Sequence, residues 1–259
     1  MIELVRMAAI EAAGPVTAVF SGRDGGVSAG PYASLNVGCG VRDAPAAVWE
    51  NRRRLLEAAR LDPERCVWAS QVHGTEVAVV TGADAGRKLT GIDGLATAEP
   101  GLALAVVCAD CSPVFLYDPV TPAVGMVHAG WRGAVAGAAF AGVKAMAQAF
   151  GSDPARLLAA VGPSIGPCCY EVDEAVAQAA AGSAAAGRGL LVPTRPGHYL
   201  LDLWRLNVLA LEGAGVRPEA VSVAGICTRC NPERFFSHRA SGGLGGRGAG
   251  LIALRSREG

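Results

Sequence analysis

The chain has 259 residues, 51% of them hydrophobic and 18% charged, a balance that excludes a disordered protein and supplies a sizeable core. Lys plus Arg and Asp plus Glu both number 23, so no net field draws the chain to nucleic acid or to an anionic membrane, and any anion recognition is local. No apolar run reaches the roughly 20 residues of a membrane span, and MIELVRMAAIEAAG, with two glutamates, is a poor export signal; the eight cysteines therefore read as reduced thiols in a cytoplasm.

In chain order, VTAVF (16–20) is the first expected strand. The loop SGRDGGVSAGPYASLNVG (21–38) mixes glycines with Arg23 and Asn36, so it is either an ordinary surface loop or a backbone nest for an anion. An acid followed closely by proline marks helix starts at 43–45, 62–63 and 153–154. The first opens a helix over 45–60, in which Val48, Trp49, Leu55, Leu56 and Ala59 share a stripe with Arg52 in its middle, while Arg53 and Arg54 point away. A guanidinium on an apolar face needs an anion or carbonyls there, unless it snorkels past the core edge.

Strands are further expected at EVAVV, LALAVVC, PVFLYD, AVGMVH, LLAAVG and VSVAGIC, mostly continuous apolar runs as suits strands covered on both faces. Helices are expected at 134–150, 171–181 and 203–214, the first with Val135, Ala139, Val143, Met146 and Phe150 on one side and Gly151 as its stop. The alanine-rich 175–189 reads as a surface helix ending in a loop at Gly187 and Gly189. Strands cluster without strict helix alternation, which points to an α/β fold, one mixed-sheet domain over 1–259 with flanking helices, rather than a regular doubly wound sheet.

The chain has only four histidines, His73, His128, His198 and His238. His73 and His128 each end an apolar segment ahead of glycine-containing loops, and between them an apolar run enters Cys108, Asp110 and Cys111. Two imidazoles and one thiolate suit Zn²⁺, and three protein ligands leave a coordination position open. Two core histidines with an unrelated buried cysteine are the plain alternative. The pairs 108/111 and 227/230 are a second alternative, as a Cys₄ site, and Met126 near His128 a third, as the axial ligand of a copper centre. No further histidine cluster exists for a multicopper centre. GPSIGPCCYEV (162–172), with Cys168, Cys169 and Tyr170, and FFSHR (235–239), with His238 and Arg239, read singly as turn chemistry or packing.

Taken in order, GGVS…PYASLNVG, ENR, QVHGTEV, DGLAT, ADCSPVFLYD, HAGWRG, GPSIGPCCYEV and CTRCNPERFFSHR resemble, over essentially the full length, the bacterial YfiH family, related to the human laccase-domain protein. That family has been called a multicopper polyphenol oxidase, a purine nucleoside phosphorylase and a peptidoglycan editing factor. The resemblance implies a single α/β domain with a site layout related to cysteine hydrolases, and carries three metal ligands onto His73, Cys111 and His128, choosing Cys111 over Cys108. FSGRDGGVS departs from relatives that more often read Thr-Arg before the glycines, which touches only a loop, and Cys230 is read as a bystander.

By the same resemblance, the expected activity is zinc-dependent phosphorolysis of adenosine, inosine or methylthioadenosine, with copper as the alternative metal. Arg52 is the candidate to hold phosphate, backed by Arg132 and Arg239, with Asn36 also at the substrate. Cys111 and His128 are expected to be catalytic, and Asp110 to act as general acid/base. Adenosine deamination is expected only as a side activity, because the H-x-E deaminase signature is absent: Gly130 stands in its acidic slot. The rival readings are a hydrolase that removes a wrong amino acid from a peptidoglycan precursor, with Cys111 as nucleophile, and a non-catalytic zinc-stabilised binding protein. Either a monomer or a homodimer is expected.

Overall fold

The computed structural model describes residues 1–256. In chain order the elements begin with β1 (Leu4–Arg6), α1 (Ala8–Glu11), β2 (Val16–Ser21), α2 (Pro45–Ala58), β3 (Cys66–Ser70), β4 (Val77–Val79), β5 (Lys88–Thr90) and β6 (Gly94–Thr97). Then follow β7 (Ala103–Cys108), β8 (Ser112–Asp118), β9 (Ala123–Ala129), α3 (Trp131–Ala136), α4 (Ala138–Phe150) and β10 (Leu158–Val161). The last group is β11 (Glu171–Asp173), α5 (Glu174–Ala181), β12 (Leu191–Pro193), β13 (His198–Leu201), α6 (Leu203–Gly213), β14 (Val221–Val223) and β15 (Gly248–Leu254).

The strands form two six-stranded mixed sheets, ordered β1-β2-β15-β7-β3-β5 and β14-β10-β8-β9-β6-β4, and a small antiparallel sheet β11-β13-β12. Phe20, Leu104 and Ile252 of the first large sheet meet Leu95, Phe115 and Met126 of the second in a shared core. On the outer face of the first sheet, Leu55 and Leu56 of α2 pack with Trp68 and Leu251. On the outer face of the second, α4 and α6 bring Val143, Met146, Leu206 and Leu211 to Leu116 and Val127. Each central strand is therefore covered on both sides, which is why every residue of β8, β9 and β15 is buried and why these strands read as apolar runs without alternation. Fully burying each large apolar side chain contributes about 1.5–3 kcal/mol. Helix α4 reaches β9 through Gly142, where a Cβ would stand 2.6 Å from Val127.

Several expected elements change. The helix expected from residue 134 is two helices, α3 and α4, broken at Gly137, whose φ of 90° only glycine adopts without strain. The expected helix at 171–181 begins as strand β11, and Asp173 then caps α5 by accepting the N–H of Val176. Helix α5 stops at Ala181, short of the expected Gly187. Strands β1, β3, β5, β6, β12, β13 and β15 fall outside the expected set; β15, GAGLIAL, hides behind its glycines. Asp43 does not cap α2 but accepts from Ser28 Oγ and Asn36 Nδ2, and Asp62–Pro63 opens only a turn. Trp49 is 57% exposed, because it covers the Arg52 guanidinium instead of joining the core. Among the described residues no helix is long and apolar enough to cross a membrane.

Candidate active site

One edge of the paired sheets gathers the chemistry. β7 leaves the first sheet at Cys108, and the turn Ala109–Asp110–Cys111 delivers the chain to β8 of the second. β8 pairs antiparallel with β9, Pro113 opposite His128, so Cys111 and His128 sit at the same end of that ladder. His73 comes from the loop between β3 and β4. The ligand atoms of His73, Cys111 and His128 lie within 4.8 Å of one another, and the two imidazoles meet edge-on at 4.9 Å between centroids. Cys108 instead lies in the core between the sheets, as does Met126.

Asp93, just before β6, organises this cluster. Its Oδ1 lies 2.9 Å from His128 Nδ1 and accepts the N–H of His73, while Oδ2 accepts the N–H groups of Val72 and Gly74. Its carbonyl also accepts the His128 N–H. One buried carboxylate thus orients the His128 ring and shapes the loop that carries His73, the usual outer support of a metal-binding imidazole. Burial pushes Asp93 up, but the His128 contact and the Gly74 and Val72 N–H groups outweigh it and bring its carboxyl down to about 2. Sequence reading missed this residue; its signal was the DGLAT segment, where an Asp-Gly pair reads as turn chemistry.

Two non-glycine residues in the left-handed region flank the cluster, His73 (φ 63°) and Asp110 (φ 84°), conformations that neighbouring contacts must hold in place. Asp93 holds the first. The second is fixed by Thr228 Oγ1 and the Arg239 N–H, each donating to one Asp110 oxygen at 2.7 Å. Both Asp110 oxygens are thereby engaged, which suits positioning of Cys111 rather than proton transfer.

Burial raises Cys111, yet the charge and hydrogen bond of His128, with His73 behind them, bring its thiol down to about 6. Burial likewise opposes the charged form of His128, but the Cys111 and Asp93 side chains raise it to about 9. The neighbouring His128 and His73 imidazoles thus favour the thiolate form of Cys111.

The donor set, two imidazoles and a thiolate, matches a catalytic zinc site. Space for an ion is provided by Gly130: a Cβ there would stand 2.7 Å from His73 Nδ1 and 2.9 Å from Cys111 Sγ. Its φ of −70° suits any residue, so the glycine serves the space and not the backbone. The residues fit the metal.

The trio opens into a cavity of about 370 Å³, which Arg52, Arg247, Lys88 and His238 also line. That volume lies within the range of small-molecule sites, ~300–1,000 Å³. Arg52 is 4% exposed, donates Nε–H to the Val37 carbonyl at 2.9 Å and lies 3.8 Å over Trp68, while its Nη1 has no partner. Arg247 donates to the carbonyls of Gly245 and Gly246 and lies 3.5 Å from His238 Nδ1. Burial pushes both guanidinium groups below their usual value. Among the described residues no carboxylate pairs with Arg52, Arg247 or Lys88.

The other expected binding residues lie elsewhere. Asn36 is fully buried, with its amide engaged by Asp43, Gly38 and the Arg247 N–H, so it supports the arginine without reaching the cavity. Arg132 is exposed and folds over Trp131. Arg239 lies over Tyr170 and donates to the Glu171 carbonyl, in a separate shallow depression that His198 also lines. Arg247, Lys88 and His238 line the trio's cavity, and Arg132 and Arg239 do not.

Residues 17–255 match a family model described as multi-copper polyphenol oxidoreductase laccase. The chain is 38% identical over 247 residues to a Bacillus subtilis protein named purine nucleoside phosphorylase YlmD, covering 93% of this chain and 89% of the relative. It is 43% identical over 241 residues to a Deinococcus radiodurans protein named purine nucleoside phosphorylase, covering 93% and 90%. Among solved structures, a Bacillus licheniformis hypothetical protein YfiH superposes with a TM-score of 0.93 at 35% identity over 97% of this chain and 96% of that one. YlmD from Geobacillus stearothermophilus does so with 0.90 at 38% over 93% of each chain.

Proposed function

This chain belongs to the multi-copper polyphenol oxidoreductase laccase family, and from that premise we propose that it is a purine nucleoside phosphorylase of the kind its curated relatives are named for. The observation that carries this reading is the pairing, in one cavity, of the His73–Cys111–His128 trio with buried Arg52 and half-buried Arg247, neither of which pairs with a carboxylate among the described residues. A multicopper oxidation is poorly served: among the described residues only one metal-ligand cluster contains histidine.

Adenosine, inosine and methylthioadenosine are the proposed substrates. Arg52, Arg247 and Lys88 hold phosphate by charge-assisted hydrogen bonds, compensating a chain whose net charge is zero. A phosphate oxygen bonds to C1′ of the sugar as the C1′–N bond breaks and its electron pair leaves with the purine. The proton that phosphate gives up ends on the purine nitrogen, carried by His238. His73, Cys111 and His128 would hold Zn²⁺, with copper as the alternative, which when bound would supply Lewis-acid polarisation. Asp93 positions His73 and His128, and Asp110 positions Cys111. Adenosine deamination is a side activity of the same cavity. The free state of all eight cysteines supports a reducing, cytoplasmic setting.

A second reading has its own support. Asp93 hydrogen-bonds His128, whose ring lies within 4.8 Å of the Cys111 sulfur, so the three could also serve as orienting acid, base and nucleophile of a cysteine hydrolase. Steady-state kinetics separate the two. Phosphorolysis requires that Arg52→Ala and Arg247→Ala each raise the phosphate KM at least about tenfold, the loss of one charge-assisted contact of about 1.5–3 kcal/mol, with little change in nucleoside KM. An unchanged phosphate KM in both variants, together with cleavage of a UDP-muramoyl-serine precursor, favours the hydrolase.

A further inference from the structure

Cys230, read from sequence as a bystander, has three sulfur neighbours. The Sγ atoms of Cys168, Cys169, Cys227 and Cys230 all lie within 4.8 Å of one another, with Cys168 to Cys230 at 3.6 Å and Cys169 to Cys230 at 3.3 Å. The C-x-x-C pair at 227/230 thus meets the vicinal pair at 168/169, not the 108/111 pair that spacing alone suggests. None of the four lines the cavity of the His73–Cys111–His128 trio.

We propose that these four cysteines form a second, structural metal site that binds a thiophilic tetrahedral cation, Zn²⁺, and pins two loops together. In a tetrahedron of thiolates about 2.3 Å from zinc, the sulfurs stand about 3.8 Å apart, and in the cluster every sulfur lies within 4.8 Å of the others, with two pairs at 3.3 and 3.6 Å. Four protein ligands leave no open position, the mark of a structural rather than catalytic site. The Gly166 N–H donates to Cys227 Sγ at 3.2 Å, the kind of support a metal-bound thiolate receives. Cys168 and Cys230 are exposed and Cys227 buried, so the ion enters from solvent onto a prepared floor.

The backbone between the loops is already in register: Ser164 bridges Cys227, its N–H donating to Ile226 and its carbonyl accepting from Thr228. Both loops then reach the turn before Cys111, Ile165 by donating its N–H to the Asp110 carbonyl and Thr228 by donating its hydroxyl to the Asp110 carboxylate. The ion therefore braces the turn that presents the catalytic-site thiolate. On binding, each Sγ–H gives its proton to solvent, so uptake weakens as pH falls.

The test uses the full chain, reduced and stripped of metal, then loaded with Zn²⁺ or Co²⁺ under exclusion of oxygen. Two zinc equivalents per chain are expected, falling to one in Cys230→Ser and to one in the His73→Ala/His128→Ala double variant. Co²⁺ reports on the wild-type chain without any variant, so a variant that fails to fold leaves the question answered: the intense visible bands of a tetrahedral four-thiolate centre must appear in the wild-type chain. Loading with zinc must also slow alkylation of Cys168 and Cys230, both exposed, at least tenfold. A single equivalent that vanishes with the two histidines, absent four-thiolate bands, or alkylation unchanged by metal each overturns the site. So does isolation of the chain, from cells lysed into an alkylating agent, with these cysteines joined as disulfides and no second metal.

Discussion

Asp93 decides the geometry of the site without lining its cavity. It accepts from Val72, His73, Gly74 and His128, so replacing it with Asn removes an anionic acceptor and leaves an amide NH₂ facing donors. Asp93→Asn is expected to weaken zinc binding at the trio about 10–100-fold; competition against a chelator measures this, and unchanged affinity would show that the His128 ring is held by packing alone. Gly130→Ala isolates the space the ion needs. Its methyl would press on His73 and Cys111 while the backbone tolerates it, so the trio's zinc should be lost with a change in folding stability of no more than about 1 kcal/mol. Metal analysis beside denaturant unfolding checks it, and full zinc retention would contradict it. At this scale the sequence is legible where chemistry is rare or periodic: four histidines leave few ways to build a site, and the helical period alone turns Arg52 inward. It is illegible where a residue's role depends on which strand lies beside it, as for Asp93, and where arginines abound: Arg247 shares its type with Arg132 and Arg239 and differs by its burial.

At the scale of elements, apolar runs announce β7, β8 and β9 because helices or a second sheet cover both their faces. Glycine-rich β15 is hidden because Gly248 and Gly250 supply no apolar side chain to the pattern; a Cβ at 250 would stand 2.8 Å from Met126, so close sheet packing itself demands the residue that masks the strand. The break between α3 and α4 is hidden for a related reason, since apolar residues continue at helical spacing through it. Gly137→Ala tests that break. An alanine in the left-handed region costs about 1–2 kcal/mol, so the melting temperature should fall by several degrees with the trio's metal retained. An unchanged melting temperature would mean that the two helices can run as one.

Across the whole molecule, two mixed sheets share a core and expose one edge, where loops from both converge on the trio. Sequence reading reaches the α/β class and the clustering of His73, Cys111 and His128, but not the division into two sheets, because an apolar run looks alike whether a helix or another sheet covers it. The chain's neutrality acquires its meaning under the proposed function: with no net field to gather phosphate, recognition would fall to buried Arg52, half-buried Arg247 and exposed Lys88, none of which pairs with a carboxylate among the described residues. The most direct measurement is ³¹P NMR of the zinc-loaded protein incubated with inosine and inorganic phosphate. A sugar 1-phosphate resonance must grow in step with free hypoxanthine, and neither may appear when phosphate is left out. Hypoxanthine released at the same rate without phosphate, or no organic phosphate at all while the substrate is consumed, would contradict phosphorolysis at this site.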